Sequence, residues 1–204
     1  PKICEALGNS IKIGLLATVF STILGTLIAF AIGRYMFKGR STTNLLIFLP
    51  MATPEIVLGA SILSLFLVLQ INPGFWPTVI AHVAFCISFV VVTVKSRIAS
   101  LDPRLEQAAM DLYANEFQTF RRVTLPLVAP GIAAAALLAF SLSFDDFIIT
   151  NFNSGTVTTF PKFVYGAAAR GIPAQANVIG SAMFFIALII VIVGQVVSRQ
   201  RKKS

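Results

Sequence analysis

Eight acidic residues are spread over 204 positions, and three of them stand where a carboxylate is hard to keep. Glu55 lies in the stretch LPMATPEIVLGAS, and Asp145 and Asp146 lie in SFDDFIITNF, each flanked by long apolar runs. A charge inside such a run marks a pathway or a buried pair, because an isolated carboxylate in apolar surroundings is heavily penalised. For Glu55 the structural alternative is a hydrogen bond to backbone freed by Pro50 and Pro54. Adjacent positions on a helix point about 100° apart, so Asp145 and Asp146 cannot both serve one path. One faces it while the other caps a helix or binds a partner.

A second polar set has another character. Between Leu105 and Pro130 the chain mixes Glu106, Asp111, Glu116, Arg121 and Arg122 with the small pair Ala108 and Ala109. This insert is helix-prone and needs a partner outside the apolar phase. Other reactive chemistry is sparse. His82 is the sole histidine and sits one turn inside an apolar run, where packing or interfacial roles outnumber ligand roles. Cys4 and Cys86 are far apart and match no metal-ligand spacing. A Ser-His pair, HExxH or aspartates on separate spans would point to an intramembrane enzyme, and none is present. Without a GxxxxGK[ST] stretch the chain cannot itself cradle nucleotide phosphates, so no cofactor or metal is expected on it.

The elements that must position these residues follow from composition. The chain is 56% apolar and 12% charged, where soluble domains carry roughly a quarter charged residues. Several apolar runs of membrane-spanning length make it an all-α polytopic membrane protein, a single transmembrane domain over 1–204. Five spans are expected: Asn9–Gly33, Asn44–Gln70, Thr78–Val94, Leu127–Asn151 and Asn177–Val197. The first carries a small-residue stripe, Gly14, Ala17, Ser21, Gly25 and Ala29, that lets another helix approach closely, inside the bundle or at a subunit interface. The second must kink at its prolines, and a straight count puts Glu55 about 16 Å inside it, near the middle of a core about 30 Å thick. The fourth starts near Pro130 and Gly131, packs through Ala133–Ala136 and reaches the aspartates at its far end.

Basic residues set the orientation. With the C-terminus in the cytoplasm, alternating loops put Arg34, Lys38, Arg40, Lys95, Arg97, Arg104, Arg121, Arg122, Arg199, Arg201, Lys202 and Lys203 inside. Only Lys2, Lys12, Lys162 and Arg170 fall outside, a clear positive-inside bias. The net charge of +8 is therefore topological, and nucleic acid is not an expected partner. The insert faces the cytoplasm, and the aspartates lie toward the outer face.

Asp102-Pro103 predicts a helix start in the insert, an acid cap followed by proline at the first helical position. Leu105, Ala108, Ala109 and Leu112 then share one face, and Phe117 and Phe120 form a second patch on a further short helix. Glu106, Asp111 and Glu116 oppose an anionic leaflet, so a protein groove that admits small residues suits the face better than lipid. The stretch resembles the EAA loop of ATP-binding-cassette importer permeases of the MetI-like fold. Gln107-Ala108-Ala109, Tyr113 and Val123-Thr124-Leu125-Pro126 fall at that pattern's spacing. Gln107 replaces the pattern's acid, which Glu106 partly restores. Tyr113 replaces its glycine, which predicts a differently shaped turn. The segments 49–61, 143–152 and 158–177 are similar to the polyamine (spermidine/putrescine) permeases of the second-subunit type.

That resemblance implies a bundle of six spans, the first missing here, with a cytoplasmic coupling helix in a loop over about 102–126. It implies a permease of the bacterial inner membrane, working by alternating access with an ATPase dimer that carries ATP and Mg, a second homologous permease and an external substrate-binding protein. The ATPase-docking residues would be Glu106, Gln107, Ala108, Ala109, Leu112, Tyr113, Phe117 and Phe120. Carboxylates at Glu55, Asp145 and Asp146, with cation–π faces from Phe144, Phe147 and Phe152, would line the path of a polycation. Another cation such as ferric iron on the same fold is the alternative. A channel is a weaker one, because it needs no docking loop.

Overall fold

The computed structural model describes residues 2–168 and, beyond them, 177, 178, 180–182, 185, 186, 188 and 189. The span expected at Asn177–Val197 and the basic residues Arg170, Arg199, Arg201, Lys202 and Lys203 fall largely or wholly outside the described residues. Nine α-helices are formed by the described residues: α1 (Lys2–Arg34), α2 (Arg40–Ala52), α3 (Glu55–Val68), α4 (Phe75–Ala99), α5 (Arg104–Asp111), α6 (Glu116–Thr119), α7 (Leu125–Asp145), α8 (Ile148–Asn153) and α9 (Phe160–Ala168). A π-helical turn, Phe120–Thr124, joins α6 to α7, so that Glu116–Asp145 forms one candidate span. That turn has a local cause. Pro126 has no N–H to give, and the Leu125 N–H reaches back five residues to the Phe120 carbonyl.

At a rise of about 1.5 Å per residue, α1, α4 and Glu116–Asp145 each exceed the roughly 30 Å of hydrocarbon to be crossed. The most apolar window of α4 is 61% buried, against 28% for α1 and 22% for Glu116–Asp145, which makes α4 the axis of the bundle. The small-residue stripe of α1 is internal packing: Gly14, Ala17, Ser21, Gly25 and Ala29 are all buried. At Gly25 the approach of α4 is so close that a Cβ would fall 2.6 Å from Val90 Cγ1 and 3.3 Å from the Ile87 carbonyl oxygen. Only glycine fits there. The core then continues through Cys86, Val90, Val91 and Val94 of α4 to Val128, Ala135 and Ala139 of α7.

Contacts at the ends fix the direction of each pass. Arg97, in the last turn of α4, donates from Nε and Nη2 to the Leu127 carbonyl at 3.1 and 2.9 Å, and Gly33 of α1 lies against Ile98. Lys95 Nζ donates to Asn44 Oδ1 of α2 at 2.7 Å. The ends of α1 and α4 and the starts of α2 and α7 thus share one basic end of the bundle. At the other end Asn9 donates to the Thr158 carbonyl at 3.1 Å, and the Gly74 N–H to the Asn153 carbonyl at 2.9 Å.

Two expected spans differ from their continuous form. The second is broken into α2 and α3, with a bend of 108° across Thr53 and Pro54. Pro54 supplies no donor, and both the N–H and the hydroxyl of Thr53 turn back to the Leu49 carbonyl, so the first helix closes. The straight count of 16 Å to Glu55 therefore does not apply, and Glu55 opens α3 at the bend. The fourth ends at Asp145 rather than Asn151, because Asp146 adopts an extended conformation (φ −66°, ψ 125°) and starts a new helix.

Candidate functional site

At the break between α7 and α8 the two aspartates part ways. Asp146 is buried, and its carboxylate closes the N-terminus of α8 by accepting the N–H of Ile149 on Oδ1 (3.2 Å) and that of Thr150 on Oδ2 (2.8 Å). The Thr150 hydroxyl donates to Oδ2 at 2.9 Å, and His82 Nε2 lies 3.3 Å from the same oxygen. An unpaired buried carboxylate would cost several kcal/mol, on the order given for isolated charges in apolar surroundings; four donors around this one remove that penalty. His82, 1% exposed, also sets Nδ1 2.6 Å from Ser143 Oγ and Nε2 2.9 Å from Thr150 Oγ1. A Ser-His pair, not expected from the sequence, is therefore formed, but with Ser143 and His82 4% and 1% exposed it is a packing pair that joins α4, α7 and α8.

Asp145 points elsewhere. With Glu55, Asp146, Phe85 and Phe147 it lines a cavity of about 440 Å³ between the α2–α3 bend and the α7–α8 break. Among the described residues neither the Glu55 nor the Asp145 side chain has a hydrogen-bond or ion-pair partner. Acids from two separate sequence segments therefore line one space. A second cavity of about 690 Å³ adjoins it through Ser141, Asp145 and Phe147, and is walled by Phe140, Phe144, Phe160 and Tyr165. Phe147 stacks on Tyr165 with centroids 4.2 Å apart, and Phe144 faces Phe140 at 5.8 Å. Phe152, the third expected aromatic, packs instead against Gly59 of α3. Beyond α8, Lys162 Nζ donates to Ser154 Oγ and to the Gly155 carbonyl at 2.8 and 3.1 Å, and burial pushes its ammonium below the ordinary lysine range.

The loop at the basic end is a separate site. Asp102 Oδ1 accepts the Arg104 N–H at 2.9 Å to start α5, and Asn115 and Gln118 cap α6 reciprocally. Glu106 turns inward, bidentate to the Arg34 guanidinium and accepting the Thr124 hydroxyl. The Arg34 hydrogen bonds first, then that of Thr124, hold its carboxyl below the usual glutamate range. Gln107 and Ala108 are exposed and Ala109 half-buried. Leu112, Tyr113 and Phe117 stand 81%, 98% and 69% exposed, and Phe120 meets Phe30 edge-on at 5.2 Å. The turn after α5 is left-handed at the position where the resembled pattern has glycine. Tyr113 itself takes the left-handed conformation, φ +63°, that a glycine would hold without strain.

Arg34, Thr124 and His82 were not singled out as site residues by the sequence. Arg34 read only as an end-of-span charge, while the Asn115-x-x-Gln118 spacing was a legible cap. For His82 the available signal was its being the one imidazole inside a span.

Residues 21–202 match the family described as "Binding-protein-dependent transport system inner membrane component". The spermidine/putrescine transport system permease protein PotC of Escherichia coli (strain K12) is 35% identical over 201 residues, 98% of this chain and 76% of that protein. The putrescine transport system permease protein PotI of the same organism is 37% identical over 186 residues, 87% of this chain and 66% of that protein. Among solved structures, a chain of the MetNI methionine ABC transporter in an inward-facing conformation superposes with TM-score 0.78 at 14% identity, covering 97% of this chain and 94% of that one. A chain of a bacterial ABC transporter for import of the acidic polysaccharide alginate gives 0.70 at 18%, covering 97% and 79%. These two neighbours share the expected all-α importer fold although their named cargoes differ, so the fold alone does not choose the cargo. On the sequence match over most of its length, the chain belongs to the inner-membrane components of binding-protein-dependent transport systems.

Proposed function

We propose that this permease carries polyamines inward by alternating access, with the cavity around Glu55, Asp145 and Asp146 as its cation path. The carrying observation is that Glu55 and Asp145, with carboxylates unpaired among the described residues, and the aromatic faces of Phe85 and Phe147 line one space beside the tied Asp146. A polyamine is a flexible chain of cationic centres, and spaced acids with aromatic walls suit it. The acids ring the cavity rather than converge, and among the described residues no three His, Cys, Asp or Glu side chains gather closely enough to hold a metal ion. That favours an extended organic cation over a bare metal cation. The relatives named for spermidine and putrescine transport support the same cargo class.

Drive would come from a separate ATPase dimer bound at α5 and α6, with a second permease beside this one and a binding protein at the outer face. The exposed Leu112, Tyr113 and Phe117 would enter its cleft, while Glu106 ties that surface back to α1. The basic end would face the cytoplasm, in keeping with the charge bias. Uptake of labelled spermidine by the reconstituted assembly tests the reading. Glu55→Gln and Asp145→Asn should each lower uptake on the order of tenfold, about 1.4 kcal/mol in the barrier, with assembly intact. Uptake at the parental rate in both variants would refute a cationic path here, and uptake of another cation in preference would reassign the cargo.

A further inference from the structure

We infer that His82 is a positioning residue for the acidic cavity: its imidazole keeps Asp146 committed to α8, so that cargo meets Asp145 and Glu55 as the free acids. The inference rests on the cavity being the cation path. A count of hydrogens assigns the imidazole. Asp146 Oδ2 accepts the Thr150 N–H at 2.8 Å and the Thr150 hydroxyl at 2.9 Å. Thr150 Oγ1 has one proton and three acceptors in reach, Asp146 Oδ2 at 2.9 Å, the Asp146 carbonyl at 3.2 Å and His82 Nε2 at 2.9 Å; with that proton given to Asp146, the contact to Nε2 is donated by the imidazole. Nε2 then carries a proton that faces both Thr150 Oγ1 and, at 3.3 Å, Asp146 Oδ2. On the other side of the ring Nδ1 meets Ser143 Oγ at 2.6 Å.

One ring thus spans three helices, and every polar atom on it has a partner. Its effect on the path is geometric. Asp146 is the residue at which α7 stops and α8 begins, and its side chain caps α8 from the wall of the cavity. Asp145 is one residue earlier, on the last turn of α7, and its direction into the cavity depends on where that break is held. Without the imidazole, Asp146 loses a donor and the break loses its anchor to α4, the most buried helix. The acid that the protein now uses becomes available to a passing cation, and the acid that should meet the cation is no longer aimed.

The test is a double-mutant cycle in the complete transporter, reconstituted with its ATPase, partner permease and binding protein. Spermidine uptake and the midpoint of thermal inactivation are measured for His82→Ala, His82→Gln, Asp146→Asn, Glu55→Gln and the pairs. His82→Ala should lower uptake about tenfold, while His82→Gln, whose amide N–H replaces that of Nε2, should keep at least a third of it. The His82→Ala/Asp146→Asn pair should lose no more than its worse single variant, whereas His82→Ala/Glu55→Gln should multiply the two losses. Parental uptake in His82→Ala, no rescue by glutamine, or multiplicative losses for His82 and Asp146 would each overturn the inference. If the parental assembly takes up no spermidine, the cargo reading fails by itself. The midpoints then decide: a shared shift for His82 and Asp146 upholds the positioning role, and additive shifts reject it.

Discussion

The two ends of this bundle treat their acids in opposite ways. At the basic end Glu106 is consumed by the protein, clasped by Arg34 and Thr124, and the surface left outward is Leu112, Tyr113 and Phe117. At the cavity end only Asp146 is consumed, and Glu55 and Asp145 are left toward an open space with aromatic walls. The difference fits the two proposed roles, a docking face that offers apolar side chains to a partner and a cation path that leaves two carboxylates unspent.

The strongest way to break this contrast is to put a charge where the basic end offers none. Ala109→Glu should cut substrate-stimulated ATP hydrolysis of the reconstituted assembly on the order of tenfold or more, because a carboxylate pressed into a protein groove loses its water without a partner. Unchanged coupling would mean that α5 is not the docking face. A smaller effect is expected from the clasp. Arg34→Glu should reduce coupling a few-fold, and Arg34→Glu with Glu106→Arg should recover most of it, measured as ATP hydrolysed per molecule imported. The clasp also has a pH signature. Its carboxyl is held below the ordinary glutamate range, so its contribution is complete above that range, about pH 4.3 for a free side chain. It is lost as pH falls through the depressed value. Proteolysis of the loop over 102–126 should therefore stay slow at pH 5 and accelerate only in stronger acid. The smallest effect sharpens the contrast rather than breaking it. Tyr113→Gly should stabilise the turn by about 1 kcal/mol by removing left-handed strain, read as slower proteolysis, while weakening ATPase binding if the exposed ring is a contact.

Much of the loop was legible in the sequence. Its polar character, its helix start at Asp102 and its exposed face all follow from local periodicity and capping chemistry, which act within one or two turns. The shape of the turn at Tyr113 was not, because a tyrosine disfavours the left-handed conformation that the chain adopts there between α5 and α6. Glu106 is a similar case. Its sequence neighbours said docking acid, but its partner Arg34 lies 72 positions away.

The sequence by itself determined that this chain crosses a membrane, in what number and order the first four spans come, and that its charge is gathered at one end. Each of those depends on composition over twenty residues or on short-range spacing. Tertiary structure alone decided which acids are free. Glu55 meets Asp145 only because the chain bends by 108° at Pro54 and breaks again at Asp146. Asp146 is withdrawn from that pair by the first N–H groups and the Thr150 hydroxyl of α8, with His82 beside them on a helix that meets α1 closely at Gly25. A carboxylate's role is fixed by what lies within a few ångströms of it, and in a helical bundle those neighbours come from residues far apart in the chain.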